Sequence, residues 1–523
     1  MTVADPHLML AFEGTEVPAW LEQRLEESPP AGVTLFREWN MSSPGQVAEL
    51  TTALQEMNSS PLPLLIAVDQ EGGQLIGLEG STPFSGNMAL GATDDADLAE
   101  AVAAAMGREL AAVGINVNYA PVADVATQAD NPSLGIRSFG EDPGQVARFV
   151  GAMVAGFSTA GVHSTAKHFP GKGEARVDPH YELPLLDLDR DRLDTVELPP
   201  FRAAFEAGAE LLMMGHYVVP SITGSRDLPI SASERGINGF VRQEMGFDGL
   251  VITDALDMGA LDQGPAQVVE IITMMRGGTD LLLCMPDPAL QDRVRTAVER
   301  GASRGLIPEA ILAASRQRIE RLRESTAGGM LRPELVGSEQ HLALAAELAE
   351  KSVTVVRNDD GLLPLRLTPE SRILALEPQP TNVTPADTTA LYPPSLADAL
   401  RKHHQSVTGI VYPHEPERSD VDSSVTALGE HDLAVVGTVA ASRGQANLVR
   451  ALLDTGKPVV TVALRTPYDL GHYPGSGTHL CTFSGHQPSL VALASVLFEG
   501  SGGRGVLPVS IPGLHPRGHG LPL

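Results

Sequence analysis

The chain has 523 residues, 43% of them hydrophobic and 20% charged, with a net charge of −28. That length and composition fit two or three globular domains and set aside a fibrous or disordered protein. The acidic excess excludes nucleic acid or an anionic membrane as the main partner, since both call for a basic surface, and leaves solubility as its default role.

The first residues, Met1 to Pro6, carry no basic segment leading into an apolar one, so no secretory leader is expected. No apolar run is long enough to span a bilayer, and a cytoplasmic location follows as the expectation. Eight short apolar runs come next: Leu8 to Phe12, Gly32 to Phe36, Leu64 to Val68, Ile115 to Tyr119, Val162 to Ala166, Leu211 to Met214, Leu250 to Thr253 and Leu281 to Cys284. Amphipathic segments such as Asp97 to Val113 and Gln145 to Ala160 lie between most of them. Near-continuous apolar runs are the mark of strands buried on both faces, and eight strand–helix units predict a (β/α)8 barrel. An open doubly wound sheet competes, but no glycine-rich fingerprint opens a helix after the first strand. A helical pattern from Ile311 to Leu322 and a small-residue stretch through Gly329 close this region.

A linker helix, Ser338 to Glu350, leads to a second series of strands: Ser352 to Val356, Ile373 to Leu376, Leu433 to Val436, Pro458 to Leu464 and His479 to Phe483. Helical pieces, Ser395 to His403 and Gln445 to Leu453, separate them. The predicted organisation is α/β throughout: a barrel domain over 1–335 and a smaller three-layer α/β/α domain over 336–523. The Gly- and Pro-rich end, Gly500 to Leu523, is expected to run as a tail over the surface. The two cysteines, Cys284 and Cys481, lie far apart in apolar runs and read as small core residues, so neither a disulfide framework nor a metal site is expected.

Polar residues gather where catalytic groups stand in a barrel, at the carboxyl ends of strands. Asp69-Gln70-Glu71-Gly72-Gly73 ends the third run, Lys167-His168 the fifth, Gly215-His216 the sixth and Asp254 the seventh. After Lys167-His168 the chain breaks at Pro170-Gly171 and continues to Asp178-Pro179-His180. A carboxylate two residues from an imidazole can fix its tautomer, although alone such a pair is as readily a turn with a surface histidine. Asp254, fixed where a strand meets a loop, can attack an anomeric carbon; alone it can also be a helix N-cap. Asp257 reads as a cap or a solvated side chain, His163 as a core residue, and His216 as a satisfied strand-end histidine.

Together these stretches, with Gly135-Ile136-Arg137-Ser138-Phe139-Gly140, resemble glycoside hydrolase family 3, and within it the β-N-acetylglucosaminidase branch. The resemblance covers Leu8 to Leu322 and extends more weakly to Gly505 to Pro512. It implies a retaining exo-acting enzyme without a cofactor or metal, whose partner is a small N-acetylglucosaminide from cell-wall muropeptides or related glycosides. Asp254 matches the nucleophile, and His180 the general acid/base with Asp178 as its dyad partner. Asp69, Arg137, Lys167 and His168 match residues that bind the non-reducing-end sugar. Three positions depart from the branch: Gln74 replaces a usual arginine, Lys172 a common histidine, and Pro179 a usual serine. Two other enzyme activities remain open. Some members of the branch are understood to be phosphorylases, and Lys172 and Arg176 are candidate phosphate ligands. A β-glucosidase would draw its acid from Glu377 or Glu499. A binding protein on a decayed barrel is the reading outside catalysis.

Overall fold

The computed structural model describes residues 3–326 and 328–523; Met1, Thr2 and Ala327 lie outside the described residues. Eight parallel strands form the first sheet: β1 (Leu8–Ala11), β2 (Gly32–Thr34), β3 (Leu65–Val68), β4 (Val117–Asn118), β5 (His163–Phe169), β6 (Leu211–Met214), β7 (Leu250–Thr253) and β8 (Leu282–Cys284). They pair in the order β8-β1-β2-β3-β4-β5-β6-β7. The ring closes through a parallel bridge from Ile252 in β7 to Leu281, just before β8. This closure makes the sheet a (β/α)8 barrel and not an open doubly wound sheet. Alternation along the strands fills both of its faces. Met9, Leu65, Ala67, Met213, Ile252 and Leu283 pack in one cluster, while Leu8, Leu10, Val33, Ile66, Val68 and Leu282 pack in another.

β4 is shorter than the run Ile115 to Tyr119, because side chains take over its pairing. The Asn116 amide bonds both Ile66 N and Leu64 O, and the Asn118 amide bonds both Gln70 N and Gln70 O. β5 in turn is longer than expected and carries Lys167 and His168 inside the strand, stopping at Phe169 before Pro170.

The second sheet consists of β9 (Thr354–Asn358), β10 (Ile373–Pro378), β11 (Val407–Tyr412), β12 (Leu433–Thr438), β13 (Val459–Ala463) and β14 (Thr478–Cys481). Its order is β9-β14-β13-β12-β10-β11, with β9 antiparallel to β14 and the other neighbours parallel. Ile373, Ala375, Leu433 and Val435 pack with Leu396, Leu400, Leu490 and Leu493 on one face. Leu374, Leu376, Ala434 and Val436 pack with Leu448, Val449 and Leu452 on the other, completing three layers. Strand β11 adds to the strands expected from the sequence: Gly409 interrupts its apolar residues, and as an edge strand it leaves Thr408, Gly409 and Val411 exposed. Both cysteines are buried and free. Among the described residues no helix is long and apolar enough to cross a membrane.

The C-terminal stretch does not run over the surface as expected. Leu507, Val509 and Ile511 are fully buried, and Val506 N donates to Ala92 O while Glu141 N donates to Pro508 O. Apolar residues hidden among the glycines and prolines make this stretch a strap that holds the second domain against the barrel. The helix Asn87–Thr93 meets it where Gly91 packs against Phe139, leaving no room for a Cβ. Such an atom would lie 1.7 Å from Phe139 O and 3.2 Å from Pro508 Cβ. Gly91→Ala is therefore expected to cost about 1–3 kcal/mol of unfolding free energy through overpacking. Urea denaturation should show a lower midpoint at unchanged slope; an unmoved midpoint would mean that the junction yields freely.

Candidate active site

At the carboxyl end of the barrel a cavity of about 320 Å³ is lined by Asp69, Arg137, Lys167, His168, His180 and Asp254. Six of the seven residues singled out in the sequence thus face one space, and the seventh, Asp178, stands behind His180.

The floor of the cavity is a buried charge network. Arg137 is held in a short 3-10 turn, Gly135–Arg137, whose last carbonyl accepts from the Asn87 amide. Its guanidinium forks onto Glu71, with Nε to Oε2 at 2.9 Å and Nη2 to Oε1 at 2.7 Å. Lys167 Nζ lies 2.6 Å from Glu71 Oε1 and 2.5 Å from Asp69 Oδ1. Glu71 and Lys167 are 1% exposed at their side chains, whereas Asp69 keeps 24% and so still offers an oxygen to the cavity. Burial would raise the Glu71 carboxyl, but Arg137 and Lys167 outweigh it and hold it at about 2. Burial likewise works against the Lys167 ammonium, but Asp69 and Glu71 prevail and raise its pKa.

His168 is neutral, because burial and then the nearby cations Lys172, Arg137 and Lys167 all disfavour its charge. Its Nδ1 meets Asp124 Oδ2 at 2.8 Å and its Nε2 meets Arg137 Nη2 at 3.2 Å. The consistent tautomer donates from Nδ1 to the carboxylate and accepts from the guanidinium at Nε2. Both ring nitrogens are thus engaged within the protein, and His168 acts on the cavity by fixing Arg137. Asp124 also accepts from the backbone N–H groups of His168 and Lys172, at 3.2 and 2.9 Å.

Asp254 follows β7 directly. No helix succeeds it, so the N-cap alternative falls away. Its Oδ1 accepts from Ala255 N at 2.9 Å, and its side chain lines the cavity. The dyad is formed: His180 Nδ1 lies 2.6 Å from Asp178 Oδ1, which also accepts from His180 N at 3.0 Å. This leaves Nε2, on a ring 27% exposed, outside the Asp178 contact. Burial would raise Asp178, but the hydrogen bonds from the His180 ring and backbone outweigh it and hold the carboxyl below its usual range. The dyad loop docks on the segment that carries Asp254, with Gly259 N donating to His180 O at 3.0 Å and Ala260 N to Pro179 O at 3.1 Å. A Cβ at Gly259 would lie 2.6 Å from Tyr181 O, so this approach requires glycine there.

Several other residues have different places. Lys172 lines the cavity 1% exposed, and its ammonium has no hydrogen-bond or ion-pair partner among the described residues. Arg176 is exposed on a separate surface cleft, so the two loop cations are not a pair. His216 is buried between Ser231 Oγ, 2.8 Å away, and Ala255 O, 3.3 Å away, and does not line the cavity. His163 bonds Glu210 and Thr326 at the other end of β5. Neither Glu377 nor Glu499 reaches the cavity: the first accepts from Leu396 N, and the second pairs with His403 at the surface. Sequence reasoning missed Glu71 and Asp124 as functional residues. Glu71 had a signal, since it shares the third strand-end motif with Asp69, and the cations Arg137 and Lys167 in two other motifs call for a counter-carboxylate. Asp124 had none, because it follows a strand only two residues long.

Known proteins resemble this chain in sequence and in fold. The profile of the Glycosyl hydrolase family 3 N terminal domain matches residues 16–322. β-Hexosaminidase A of Pseudoalteromonas piscicida is 32% identical over 95% of this chain and 92% of its own length. A β-hexosaminidase of Stenotrophomonas maltophilia (strain K279a) is 34% identical over 58% of this chain and 92% of its own. The structure of a glycoside hydrolase family 3 β-N-acetylglucosaminidase from Paenibacillus sp. str. FPU-7 superposes with a TM-score of 0.92 at 31% identity, covering 97% of this chain and 98% of that one.

Glu71 offers a test of the floor. Its folded pKa of about 2 lies below the ordinary 4.5, so its charge contributes stability that is complete above about 4.5 and lost as the pH falls toward 2. Glu71→Gln is expected to cost about 3–5 kcal/mol at neutral pH by leaving the buried Arg137 without its carboxylate and Lys167 with Asp69 alone. It should also flatten the dependence of stability on pH within that acid window. Urea titrations at a series of pH values read both effects, and parallel curves for variant and wild type would remove Glu71 as the anchor.

Proposed function

The chain belongs to glycosyl hydrolase family 3, and on that premise we propose that it is a retaining, exo-acting β-N-acetylglucosaminidase. It removes terminal N-acetylglucosamine from cell-wall-derived, muropeptide-type or related glycosides, in the cytoplasm. The observation that carries this reading is the Asp178–His180 dyad docked on the segment of Asp254, at the mouth of the same cavity.

The reaction is a double displacement. Asp254 attacks the anomeric carbon as the C1–O bond to the leaving group breaks, and protonated His180 gives its Nε2 proton to the departing oxygen. The product of this half is a glycosyl ester of Asp254. His180, now neutral, takes a proton from water, whose oxygen attacks C1 and releases Asp254, so the sugar leaves with its original configuration. Asp178 keeps Nδ1 protonated and stabilises the imidazolium. Asp69 accepts from sugar hydroxyls and Arg137 and Lys167 donate to them, with His168 holding Arg137 in place. The family's β-glucosidase activity finds no support here, because neither Glu377 nor Glu499 lines the cavity.

A second reading, phosphorolysis, draws on one observation: the buried, unpartnered Lys172 ammonium near Asp254. An imidazole acid/base carries no fixed negative charge to repel phosphate from the glycosyl–Asp254 ester. Arg176 has no part in this, being exposed elsewhere.

His180→Ala is expected to slow hydrolysis of a poor leaving group by about 10²–10⁴-fold. An aryl glycoside with a good leaving group should instead give a burst and then stall at the covalent intermediate. Equal losses on both substrates, with nothing trapped, would remove His180 from the acid/base role. Asp254→Asn should abolish turnover of every substrate, and full turnover by that variant would sink the proposal.

The phosphate reading has its own assay. Burial, with Arg137 adding to it, lowers Lys172 to about 8. Its charge is therefore present below that pH and lost above it. N-Acetylglucosamine 1-phosphate should accumulate with rising phosphate at pH 7, fade as the pH passes 8, and vanish in Lys172→Met. Free N-acetylglucosamine alone at every phosphate level rejects phosphorolysis.

A further inference from the structure

Three of the stretches that build the cavity meet at one residue that does not line it. Asp124 is fully buried, yet it bonds the residue after Arg137, the end of β5 and the first turn of the dyad loop. We propose that Asp124 is a positioning residue for the double displacement: it sets the His168 tautomer on which Arg137 rests, and it anchors the root of the loop that carries His180. The inference rests on the glycosidase reading and adds to it the residue that joins the cavity floor to the acid/base.

Backbone pairing brings Asp124 to this point. Beyond β4 the chain runs on beside β5: Lys167 N donates to Pro121 O at 3.1 Å, Ala123 N donates to Lys167 O at 2.6 Å, and Val122 bridges Lys167 in parallel. The next residue, Asp124, therefore lies against His168. Its own carbonyl accepts from Ser138 Oγ at 2.7 Å, which pins the residue that follows Arg137.

The two carboxylate oxygens have different tasks. Oδ2 accepts from His168 Nδ1 at 2.8 Å, and that bond decides where the ring proton sits. Only with the proton on Nδ1 does Nε2 face Arg137 Nη2, 3.2 Å away, as an acceptor. With the proton on Nε2, two N–H groups would oppose each other and push the guanidinium off the ring.

Oδ1 accepts from His168 N at 3.2 Å and from Lys172 N at 2.9 Å, so it spans the break at Pro170-Gly171 and fixes where the loop leaves β5. The residues after Asp124 continue this hold. A Cβ at Gly173 would lie 1.8 Å from Val125 O, so the loop is pressed against the Asp124 segment. Thr127 Oγ1 and Gln128 Nε2 donate to the Glu174 carboxylate at 3.0 and 2.6 Å. Asp178 and His180 follow within six residues of Glu174.

Asp124→Asn and Asp124→Ala separate the two tasks. In Asp124→Asn the amide oxygen keeps both backbone bonds, while the amide N–H group faces Nδ1 and drives the ring proton to Nε2. The imidazole nitrogen resonances of the full chain, labelled on histidine and assigned with His168→Gln, read this without substrate: wild type should be protonated on Nδ1 and the variant on Nε2. Asp124→Asn should lower kcat/KM about 10–100-fold, equally on aryl N-acetylglucosaminides with good and poor leaving groups, because it misplaces Arg137. In a His168→Gln background the same substitution should cost less than about threefold, since both act through one contact. Asp124→Ala also frees the loop root, and should cost about tenfold more on the poor leaving group, which alone needs the acid. An unmoved proton or full kcat/KM in Asp124→Asn, or additive losses in the double variant, overturns the inference and leaves the glycosidase reading standing. Equal losses of a folded Asp124→Ala on both leaving groups also overturn it, and if that variant does not fold, Asp124→Asn alone decides. A wild type that hydrolyses no N-acetylglucosaminide overturns both.

Discussion

One buried carboxylate, Glu71, accepts a forked pair of hydrogen bonds from Arg137 and faces Lys167 at 2.6 Å. Two cations cannot lie side by side in a barrel mouth without it, because desolvation and mutual repulsion both oppose their charge. Once Glu71 is ionised, each cation becomes an asset: Lys167 is free to hold Asp69 and Arg137 to bond His168, which in turn leans on Asp124. The network is therefore ordered from the inside outward, and the donors at the cavity are the last links of a chain that begins at the buried Glu71. Buried pairs of this kind add little net stability over an apolar core, so their value here is the fixed direction of the donors.

The second domain bears on the same network from outside. Gln74, three residues after Glu71, bonds the 384–388 segment and Arg465. His486 reaches back to Gly73 O at 2.6 Å, and Ser489 to Ser85 at 2.8 Å. The hairpin Gln70–Gly72/Leu75–Ile76 thus stands between two halves of the molecule, with the charge network on one side and the interdomain seam on the other. The C-terminal strap and the Glu109–His341 contact at the linker helix secure the same seam at a distance.

What could be read in the sequence follows from these constraints. The barrel was legible because its strands are buried on both faces and its helices on one, so the apolar pattern changes period at each boundary. Asp254, His180, Asp178, Asp69, Arg137, Lys167 and His168 were legible as candidates because they stand at strand ends or in short motifs. Long-range partnerships left no such trace. Nothing near Thr388 foretells that it pairs with Gln74, and Lys172 and Arg176, four residues apart, look alike until one is buried and the other is not. Strand β11 was missed because Thr408 and Gly409 break its apolar run to only three residues, Ile410 to Tyr412, and the strap because its buried residues are spaced among glycines and prolines.

The docking of the dyad loop has an evolutionary consequence. The contacts that set His180 against Asp254 are main-chain hydrogen bonds from Gly259 and Ala260 to the carbonyls of His180 and Pro179. A carbonyl is present whatever side chain its residue carries, so the distance between Asp254 and His180 does not depend on the identity of most loop residues. That leaves the loop tolerant of side-chain change, as the proline between the dyad residues illustrates, while the spacing of Asp254 and His180 is kept by the main chain. The constraint falls on Gly259 instead, a residue with no chemistry of its own.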